Sequence, residues 1–369
     1  MGITVPQSSP KAAYLVQQQE IDAAVKRVLL SGWYVLGEEV SGFEQEFARW
    51  SQLQMIVGVA SGTDALHLSL RAMGIGVGDE VITSPHTASA TISAIELSGA
   101  VPILADIDPI TYTLDPAAVS RVITARTRAI IPVHLYGMSA DMDPLLVLAN
   151  QFNLVVIEDC AQAQGAVYRG RNVGTMGHLS AFSFYPTKNL GALGDAGAIG
   201  SMDSDLEQHV RTLAQYGWKT RYISEMTGLN TRLDELQAAI LRVKLRVLTE
   251  GNARRNEIAA RYTAALSGAV NTPIVPADRK SVFHLYVVRH PEREDFRRFL
   301  AERGVGTAIH YPLPIHLQPA YRGKLGDKGS FPHAERAAEQ IVSLPLYPEL
   351  TDVQVDLVIQ SVLAYSASK

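Results

Sequence analysis

The chain has 369 residues, of which 47% are hydrophobic and 19% are charged, and it carries a net charge of −4. This length allows one large domain and a smaller one, and the composition is typical of a soluble globular protein. The small negative charge gives no electrostatic reason to expect nucleic acid or an anionic membrane as a partner.

Three features lead us to expect a cytoplasmic protein. The single cysteine, Cys160, excludes an internal disulfide and fits a reducing compartment. Residues 1–10 show neither the basic nor the apolar region of a signal peptide. No apolar run approaches the roughly 18–20 residues of a membrane span. The ten histidines lack zinc-type spacing, so we also predict no metal site.

The first part of the chain predicts an arm followed by two helices. Residues 1–16 are expected to be extended. Apolar residues then recur at helical spacing until Ser31 and Gly32 stop the first helix. Ser41 is expected to cap the second helix, which has an aromatic face.

From residue 55 onwards, short apolar runs alternate with helical patterns. The predicted strands lie at 56–59, 81–82, 101–104, 129–133 and 154–157, and the predicted helices at 63–73, 88–97 and 141–152. Alternation of this kind predicts an α/β fold with a mostly parallel, doubly wound sheet.

A long amphipathic helix is predicted from Arg232 to Leu248, and we place a domain boundary after it. Residues 1–250 then form a large domain that includes the N-terminal arm. Residues 251–369 form a small α+β domain, with predicted strands at 285–288 and 306–309 and a predicted helix at 294–303.

Lys188 is the chemical centre of the segment from Ser180 to Gly191. It follows an apolar, aromatic run that ends at Tyr185. An amine held against apolar groups loses solvation, and its neutral, nucleophilic form becomes accessible, as a Schiff-base lysine requires. On this segment alone, a surface lysine just past a buried strand is an equally good interpretation.

Pyridoxal phosphate needs such a lysine, together with an anchor for its phosphate and a partner for its ring nitrogen. The apolar run 154–157 ends in Glu158 and Asp159. Ligands bind beyond the carboxyl ends of parallel strands, so Asp159 is a candidate partner for the pyridine nitrogen. An aspartate that only caps a turn is the commoner case.

Three other segments offer phosphate ligands. Gly62 and Thr63 begin a predicted helix, whose free N–H groups favour an anion. Ser183 lies five residues before Lys188, and Asn230 precedes the long helix. Each has a plain alternative, because the first and last segments are also good helix caps and Ser183 occupies an ordinary strand position.

Taken together and in this order, these segments resemble the DegT/StrS group of nucleotide-sugar aminotransferases, nearly from end to end. The motifs that carry the resemblance are S-G-W-Y-V-L-G (31–37), A-S-G-T-D-A-L (60–66), G-D-E-V-I (78–82), P-V-H-L-Y-G (132–137), E-D-C-A-Q-A (158–163), F-S-F-Y-P-T-K-N-L-G (182–191), G-L-N-T-R-L-D-E-L-Q-A (228–238) and H-Y-P-L-P-I-H (310–316).

The resemblance implies a fold-type I enzyme that uses pyridoxal phosphate, and pyridoxamine phosphate in the half-reaction. It implies that Lys188 forms the Schiff base and moves the proton, and that Asp159 pairs with the ring nitrogen. It implies that Gln162 binds the phenolic oxygen of the cofactor and that Gly62, Thr63 and Ser183 bind its phosphate. Asn230 of a second subunit in a homodimer is expected to bind the same phosphate. The residues expected to contact the sugar are Tyr185, His310 and Tyr311.

Two positions depart from the family pattern. Ala88 stands where many members have an aromatic residue that stacks on the cofactor ring, and Gln164 stands where many have histidine. Neither departure affects Lys188, whose presence favours transamination, because related dehydratases have histidine at this position.

The resemblance also implies the reaction. We expect an amino group to pass from an amino acid, glutamate by analogy, to a keto group at carbon 3 of a dTDP-linked 6-deoxyhexose. Amination at carbon 4 remains an alternative. So does a non-catalytic regulator on the same scaffold.

Overall fold

The computed structural model describes residues 2–368. The strands are β1 Met55–Val59, β2 Glu80–Thr83, β3 Val101–Leu104, β4 Thr127–Ile130, β5 Val155–Asp159, β6 Val167–Tyr168, β7 Arg171–Asn172, β8 Leu179–Ser183, β9 Gly197–Ser201, β10 Trp218–Thr220, β11 Ile223–Ser224, β12 Arg279–Lys280, β13 Tyr286–Arg289 and β14 Ile341–Leu344.

The α-helices are α1 Pro10–Val16, α2 Gln18–Ser31, α3 Glu38–Ser51, α4 Gly62–Ala72, α5 Ser89–Leu97, α6 Pro116–Val122, α7 Met142–Phe152, α8 Leu206–Ala214, α9 Glu235–Leu245, α10 Leu248–Leu266, α11 Arg293–Glu302, α12 Pro332–Gln340 and α13 Asp352–Ala367. Short 3₁₀ turns occupy Leu135–Gly137 and Ile315–Leu317.

Seven strands form the central sheet, in the order β1-β9-β8-β5-β4-β2-β3. Strands β2, β3, β4, β5 and β8 pair in parallel, whereas β9 runs antiparallel to both of its neighbours. Parallel strands that are covered on both faces are apolar throughout, as the buried run from Val156 to Ile157 illustrates. The predicted α/β fold with a mostly parallel, doubly wound sheet is confirmed.

Strand β9 is not evident from the sequence, because its residues are small. A Cβ atom on Gly197 would lie 2.4 Å from the carbonyl carbon of Ser61, and one on Gly200 would lie 2.6 Å from Leu53. Glycine at position 197 therefore lets the start of helix α4 pack directly against the sheet, and glycine at position 200 leaves room for Leu53, which follows α3.

Two predictions for the N-terminal part are wrong. The arm is not extended throughout, because it contains helix α1. Before this helix, Val5 forms an isolated bridge with Val305. Helix α3 begins three residues before Ser41. The carboxylate of Glu235 accepts hydrogen bonds from the backbone N–H groups of Gly37 and Val40 at 2.7 and 2.9 Å. A distant side chain thus satisfies the donors that a local cap would satisfy.

The predicted helix from Arg232 to Leu248 is two helices, α9 and α10, which are separated at residues 246–247. The apolar stripe of α9 packs against α2 of the same chain. This contact buries Ile21, Ala24, Val28, Ala239, Ile240 and Val243. The stripe is therefore covered within one chain and does not require a second copy.

The C-terminal residues build a separate core around the antiparallel pair of β13 and β14. Helices α10, α11 and α13 pack on this pair. The predicted strand at 306–309 is wrong, since the structure has only isolated bridges at Val305 and Ala308. The domain boundary near residue 250 lies within α10 and stays a prediction. Within residues 2–368, no helix combines the length and apolar character needed to cross a membrane.

Candidate active site

Lys188 lies in a tight turn between β8 and β9. The turn is closed where the N–H of Ala192 donates to the carbonyl of Phe184 at 2.7 Å, and the N–H of Lys188 donates to the carbonyl of Tyr185 at 2.8 Å. Gly191 is required here, because a Cβ atom would lie 2.5 Å from the carbonyl oxygen of Pro186. The backbone of the turn therefore fixes where the lysine side chain begins.

The amine of Lys188 is partly withdrawn from water. Burial lowers the pKa of Lys188 to about 8, and the nearby carboxylate of Asp159 opposes this effect. At neutral pH a much larger fraction of this lysine is therefore neutral than of an exposed lysine, whose pKa is about 10.4. The prediction that the apolar, aromatic run before Lys188 removes its amine from water is confirmed only in part, because Phe184 is buried whereas Tyr185 is 53% exposed.

Asp159 ends strand β5 and is only 5% exposed. Its Oδ2 accepts a hydrogen bond from the hydroxyl of Thr91 at 3.1 Å, and its Oδ1 accepts one from the N–H of Ala161 at 3.1 Å. Burial raises the pKa of Asp159 above its usual value, while these two hydrogen bonds and the charge of Lys188 act in the opposite direction. The carboxylate is thus buried, oriented and electrostatically coupled to the lysine.

Gln162 connects this segment to two tyrosines. Its Oε1 accepts from the N–H of Tyr136 at 2.8 Å, and its Nε2 donates to the hydroxyl of Tyr311 at 3.1 Å. The hydroxyl of Tyr136 donates to the carbonyl of His310. Burial raises the pKa of Tyr311 to about 12, so its hydroxyl stays protonated. The structure therefore brings Gln162, His310 and Tyr311 together.

His310 is a neutral imidazole at physiological pH. Burial, and then the charge of Lys188, lowers the pKa of His310 to about 4. Its Nδ1 lies 2.8 Å from the hydroxyl of Ser343 on β14. The C-terminal part of the chain thus supplies a side chain whose electrostatic environment includes the lysine.

The start of helix α4 meets the end of β8. A Cβ atom on Gly62 would lie 2.6 Å from Cβ of Ser183, so only glycine allows this approach. Thr63 lies in the first turn of the helix, where N–H groups have no helical acceptor. Ser61 caps the turn through the N–H of Asp64 at 3.1 Å. Gly62, Thr63 and Ser183 are therefore neighbours, as the sequence predicts.

The structure does not bring Asn230 into this group. Asn230 is exposed, its backbone bridges Gln215, and its side chain makes no hydrogen bond within residues 2–368. The next residue, Thr231, donates to Asp64 at 3.1 Å and accepts from the N–H of Ala60 at 3.0 Å. The G-L-N-T-R segment is therefore anchored to the start of α4, while Asn230 faces outward.

Two residues of the site were missed at the level of sequence. Thr91 has no local signal except its place early in a helix that follows a parallel strand. Tyr136 lies in the P-V-H-L-Y-G segment and has a φ of 60°, a conformation that non-glycine residues rarely adopt. Its hydroxyl also lies 2.7 Å from Nε2 of His86.

Ala88 and Gln164, the two departures, have distinct surroundings. Ala88 directly precedes α5. Nearby, the rings of His86, Tyr112 and Tyr136 form a cluster with centroid separations of 6.0 to 6.2 Å. Gln164 donates through Nε2 to the carbonyl of Ser183 at 2.7 Å, and so connects the Asp159 segment to β8.

A cluster of His134, Glu158 and Cys160 has metal-ligand chemistry, since their donor atoms lie within 4.8 Å of one another. The carboxylate oxygens of Glu158 and the ring nitrogens of His134 already take part in hydrogen bonds. Glu158 accepts from His134 and from the N–H groups of Gly174, Met176 and Gly177 at 2.6 to 2.9 Å. Nδ1 of His134 accepts from the N–H of Ala140 at 3.0 Å. We interpret the cluster as structural.

The residues present fit pyridoxal phosphate. The buried carboxylate of Asp159 can pair with a protonated ring nitrogen, and the amine of Lys188, with a pKa of about 8, can react with an aldehyde. The start of α4, where only glycine fits at position 62, can bind a phosphate. Fold and site together define an enzyme of the pyridoxal phosphate type.

The comparison with known proteins gives the family. The model of the DegT/DnrJ/EryC1/StrS aminotransferase family matches residues 16–363, and the chain belongs to this family. The chain is therefore a pyridoxal phosphate-dependent aminotransferase.

Two curated relatives and one crystal structure illustrate the similarity. The dTDP-3-amino-3,4,6-trideoxy-alpha-D-glucose transaminase of Streptomyces venezuelae is 47% identical over 97% of this chain and 95% of its own. The dTDP-3-amino-3,6-dideoxy-alpha-D-galactopyranose transaminase of Aneurinibacillus thermoaerophilus is 48% identical over 94% and 96%. The structure of S. venezuelae DesV in complex with a ketimine intermediate matches with a TM-score of 0.97 at 46% identity, covering 99% of each chain.

Proposed function

We propose that this enzyme transfers an amino group from an amino acid, L-glutamate, to the keto group at carbon 3 of a dTDP-linked 6-deoxyhexose, in aminosugar biosynthesis. The amine of Lys188 beside the buried carboxylate of Asp159 is the observation that carries the transamination. The names of the two relatives above, which are both dTDP-3-amino-sugar transaminases, support the substrate class and the carbon. We place the enzyme in the cytoplasm, where nucleotide sugars are made.

When bound, the cofactor supplies an electron sink. In our proposal Lys188 would bind the aldehyde carbon of the cofactor, Asp159 would pair with its ring nitrogen, and Gln162 would bind its phenolic oxygen. The start of α4 holds the phosphate through Gly62 and Thr63, and Ser183 adds a hydroxyl.

Lys188 is also the group that moves the proton. With a pKa of about 8, roughly a quarter of the amine is neutral at pH 7.5, compared with about one part in a thousand for an exposed lysine. A base is most effective when its pKa is close to the working pH. The same amine can therefore accept a proton at one atom of the bound substrate and deliver it to another.

Tyr185, His310 and Tyr311 are the proposed sugar-binding residues. His310 is neutral, and Tyr311 keeps its proton because burial raises its pKa to about 12. Two uncharged polar groups and a half-exposed aromatic ring suit a sugar, which presents hydroxyl groups and apolar C–H faces.

The regulatory alternative is not retained, because the family is one of aminotransferases and the two relatives above are named as transaminases. Carbon 4 is the remaining alternative. The deciding experiment supplies glutamate and a panel of 3-keto and 4-keto sugar nucleotides, and scores each product by mass spectrometry and NMR. The proposal expects amination of a 3-keto substrate by the wild type and none by Lys188→Ala. Turnover of 4-keto substrates alone contradicts it.

We further propose a homodimer in which Asn230 completes the partner's phosphate site. Asn230 is exposed and unbonded among the described residues. Apolar side chains are exposed nearby in sequence and in the S-G-W-Y-V-L-G segment. They include Trp33 at 64%, Tyr222 at 72% and Ile223 at 60%. Such apolar surface is typical of a subunit interface.

Complementation tests the shared site. Inactive Lys188→Ala and inactive Asn230→Ala chains are mixed under conditions in which subunits exchange. In a mixed dimer with two-fold symmetry, one site carries both substitutions and the other carries neither. Activity should therefore return, up to half of the wild-type value per mixed dimer. A mixture that exchanges subunits and recovers no activity, or an active monomer, excludes the shared site.

A further inference from the structure

Asn189, the residue after Lys188, is held by three hydrogen bonds from outside the turn. Its Nδ2 donates to Oδ1 of Asn252 at 2.8 Å and to the carbonyl of Val282 at 3.0 Å. Its Oδ1 lies 3.3 Å from Nδ1 of His284. Helix α10 and the segment before β13, which both follow Lys188 by more than sixty residues, thus converge on the neighbour of the reactive amine.

The direction of every bond in this network is determined. The carbonyl oxygen of Val282 can only accept, so the Asn189 amide must present Nδ2 to it and Oδ1 to His284. Asn252 is oriented in the same way, because its Nδ2 donates to the carbonyl of Gln164 at 2.9 Å. An amide oxygen cannot donate, so Nδ1 of His284 must carry the hydrogen.

His284 is a buried histidine whose surroundings favour the neutral imidazole. It is 6% exposed. Burial, and then the positive charges of Lys188 and Arg255, hold the pKa of His284 well below its usual value. A protonated imidazole would add a positive charge beside Lys188. A neutral imidazole keeps its Nδ1–H without adding that charge.

The backbone that carries His284 is itself fixed. Arg255 of α10 is buried, and its guanidinium donates to the carbonyls of Leu346 at 2.9 Å and of His284 at 3.4 Å. A Cβ atom on Gly137 would lie 2.6 Å from the N–H nitrogen of His284. His284 therefore has little freedom to follow Asn189 if the turn moves.

We propose that His284 is a positioning residue for the reaction, because its Nδ1–H holds the Asn189 amide and thereby keeps the Lys188 turn, and the lysine amine, beside Asp159. The inference rests on the proposed role of Lys188 as the reactive amine. It assigns to His284 no contact with substrate or cofactor.

The test compares His284→Leu, which removes the donor, with His284→Asn, whose side-chain amide can place an N–H near the position of Nδ1. The first readout is the pKa of Lys188 in cofactor-free protein. It is obtained from the pH dependence of acetic anhydride labelling, with the Lys188 peptide quantified by mass spectrometry. This readout uses no sugar substrate, so its outcome is separate from that of the proposed function.

We expect the pKa of Lys188 to be about 8 in the wild type and to rise toward 10.5 in His284→Leu, because a loosened turn admits water. The rate constant of the glutamate half-reaction should fall about ten- to a hundred-fold, since a small displacement of a catalytic group has an effect of that size. His284→Asn should keep both values close to wild type. His67→Leu, at a buried histidine of α4, is the matched control and should change neither.

Asn189→Ala removes all three hydrogen bonds and should have an effect at least as large as that of His284→Leu. The double variant should lose no more than Asn189→Ala alone, because coupled residues are not additive. Circular dichroism verifies the fold of each variant, and if His284→Leu does not fold, Asn189→Ala replaces it. An unchanged pKa of Lys188, equal losses in the leucine and asparagine variants of His284, or additive effects in the double variant would overturn the proposal.

Discussion

Replacing Asp159 by asparagine separates the charge of this residue from its shape. The amide keeps one oxygen, which can still accept from the N–H of Ala161. Its new N–H group faces the hydroxyl of Thr91. In the wild type this hydroxyl donates to Asp159 at 3.1 Å. Thr91 also lies 3.1 Å from the hydroxyl of Thr87, so it can turn its hydrogen toward Thr87 and accept from the amide. We therefore expect Asp159→Asn to fold and to bind the cofactor.

The loss of charge determines the expected magnitude. A hydrogen bond to a charged group contributes about 1.5–3 kcal/mol, and a neutral hydrogen bond contributes about 0.5–1.5 kcal/mol. The hydrogen bond between residue 159 and the ring nitrogen of the cofactor should therefore be weaker by about 1–1.5 kcal/mol in the variant. This difference corresponds to about a tenfold change. The weaker electron sink adds to it, so the rate constant of the glutamate half-reaction should fall by about tenfold or more. The pKa of Lys188 should also fall below its wild-type value of about 8, because the carboxylate raises it.

Two measurements check these values. Stopped-flow absorbance follows the cofactor band after glutamate is added, and labelling of the cofactor-free protein gives the pKa of Lys188. Asp106→Asn is the matched control, since Asp106 follows β3 at the same edge of the sheet and accepts from the N–H groups of His333 and Ala334. A half-reaction within about twofold of wild type, together with an unchanged pKa of Lys188, would refute the reasoning.

Three further substitutions have defined outcomes. Lys188→Ala should fold and lose turnover by more than about a hundredfold, since general base catalysis contributes at least that much; steady-state assays check this, and a smaller loss removes Lys188 as the base. Glu158→Gln should lower the free energy of unfolding in urea by about 1–3 kcal/mol for each N–H donor left without an acceptor; equal midpoints would contradict this. Burial lowers the pKa of Lys244 to about 8 from 10.5, so the unfolded chain binds more protons between these values and wild-type stability rises with pH there. Lys244→Met lacks this group, so the advantage of the wild type over the variant should grow by up to about 3 kcal/mol from pH 8 to 10.5, as chemical unfolding at both pH values can show.

Local patterns in the sequence predicted the fold class and named Lys188, Asp159, Gly62, Thr63 and Ser183 as candidates for the cofactor site, and the resemblance to a family supplied their proposed roles. The apolar run 154–157 predicts a buried parallel strand, and Glu158 and Asp159 follow it toward the edge where ligands bind. Gly62 and Ser183 were named as phosphate ligands, and the structure brings them into contact. These predictions depend on residues a few positions apart, and short-range sterics and hydrophobic periodicity act at that range.

Other features were decided by contacts between distant parts of the chain. The cap of α3 is Glu235, almost 200 residues away, and the apolar stripe of α9 is covered by α2. Strand β9 was not foreseen because glycine and alanine carry little strand signal, and the approach of α4 requires glycine at position 197.

The sequence by itself determined which residue types are available for the chemistry, namely a lysine after an apolar strand, an aspartate at a strand end and a glycine at a helix start. Only the tertiary structure decided their electrostatic state and their neighbours. The pKa of Lys188 is lowered by burial, and the hydrogen-bond partners of Asn189 come from α10 and from the segment before β13. The physical reason is that desolvation and hydrogen-bond direction depend on every group packed around a side chain, and those groups are distant along the chain.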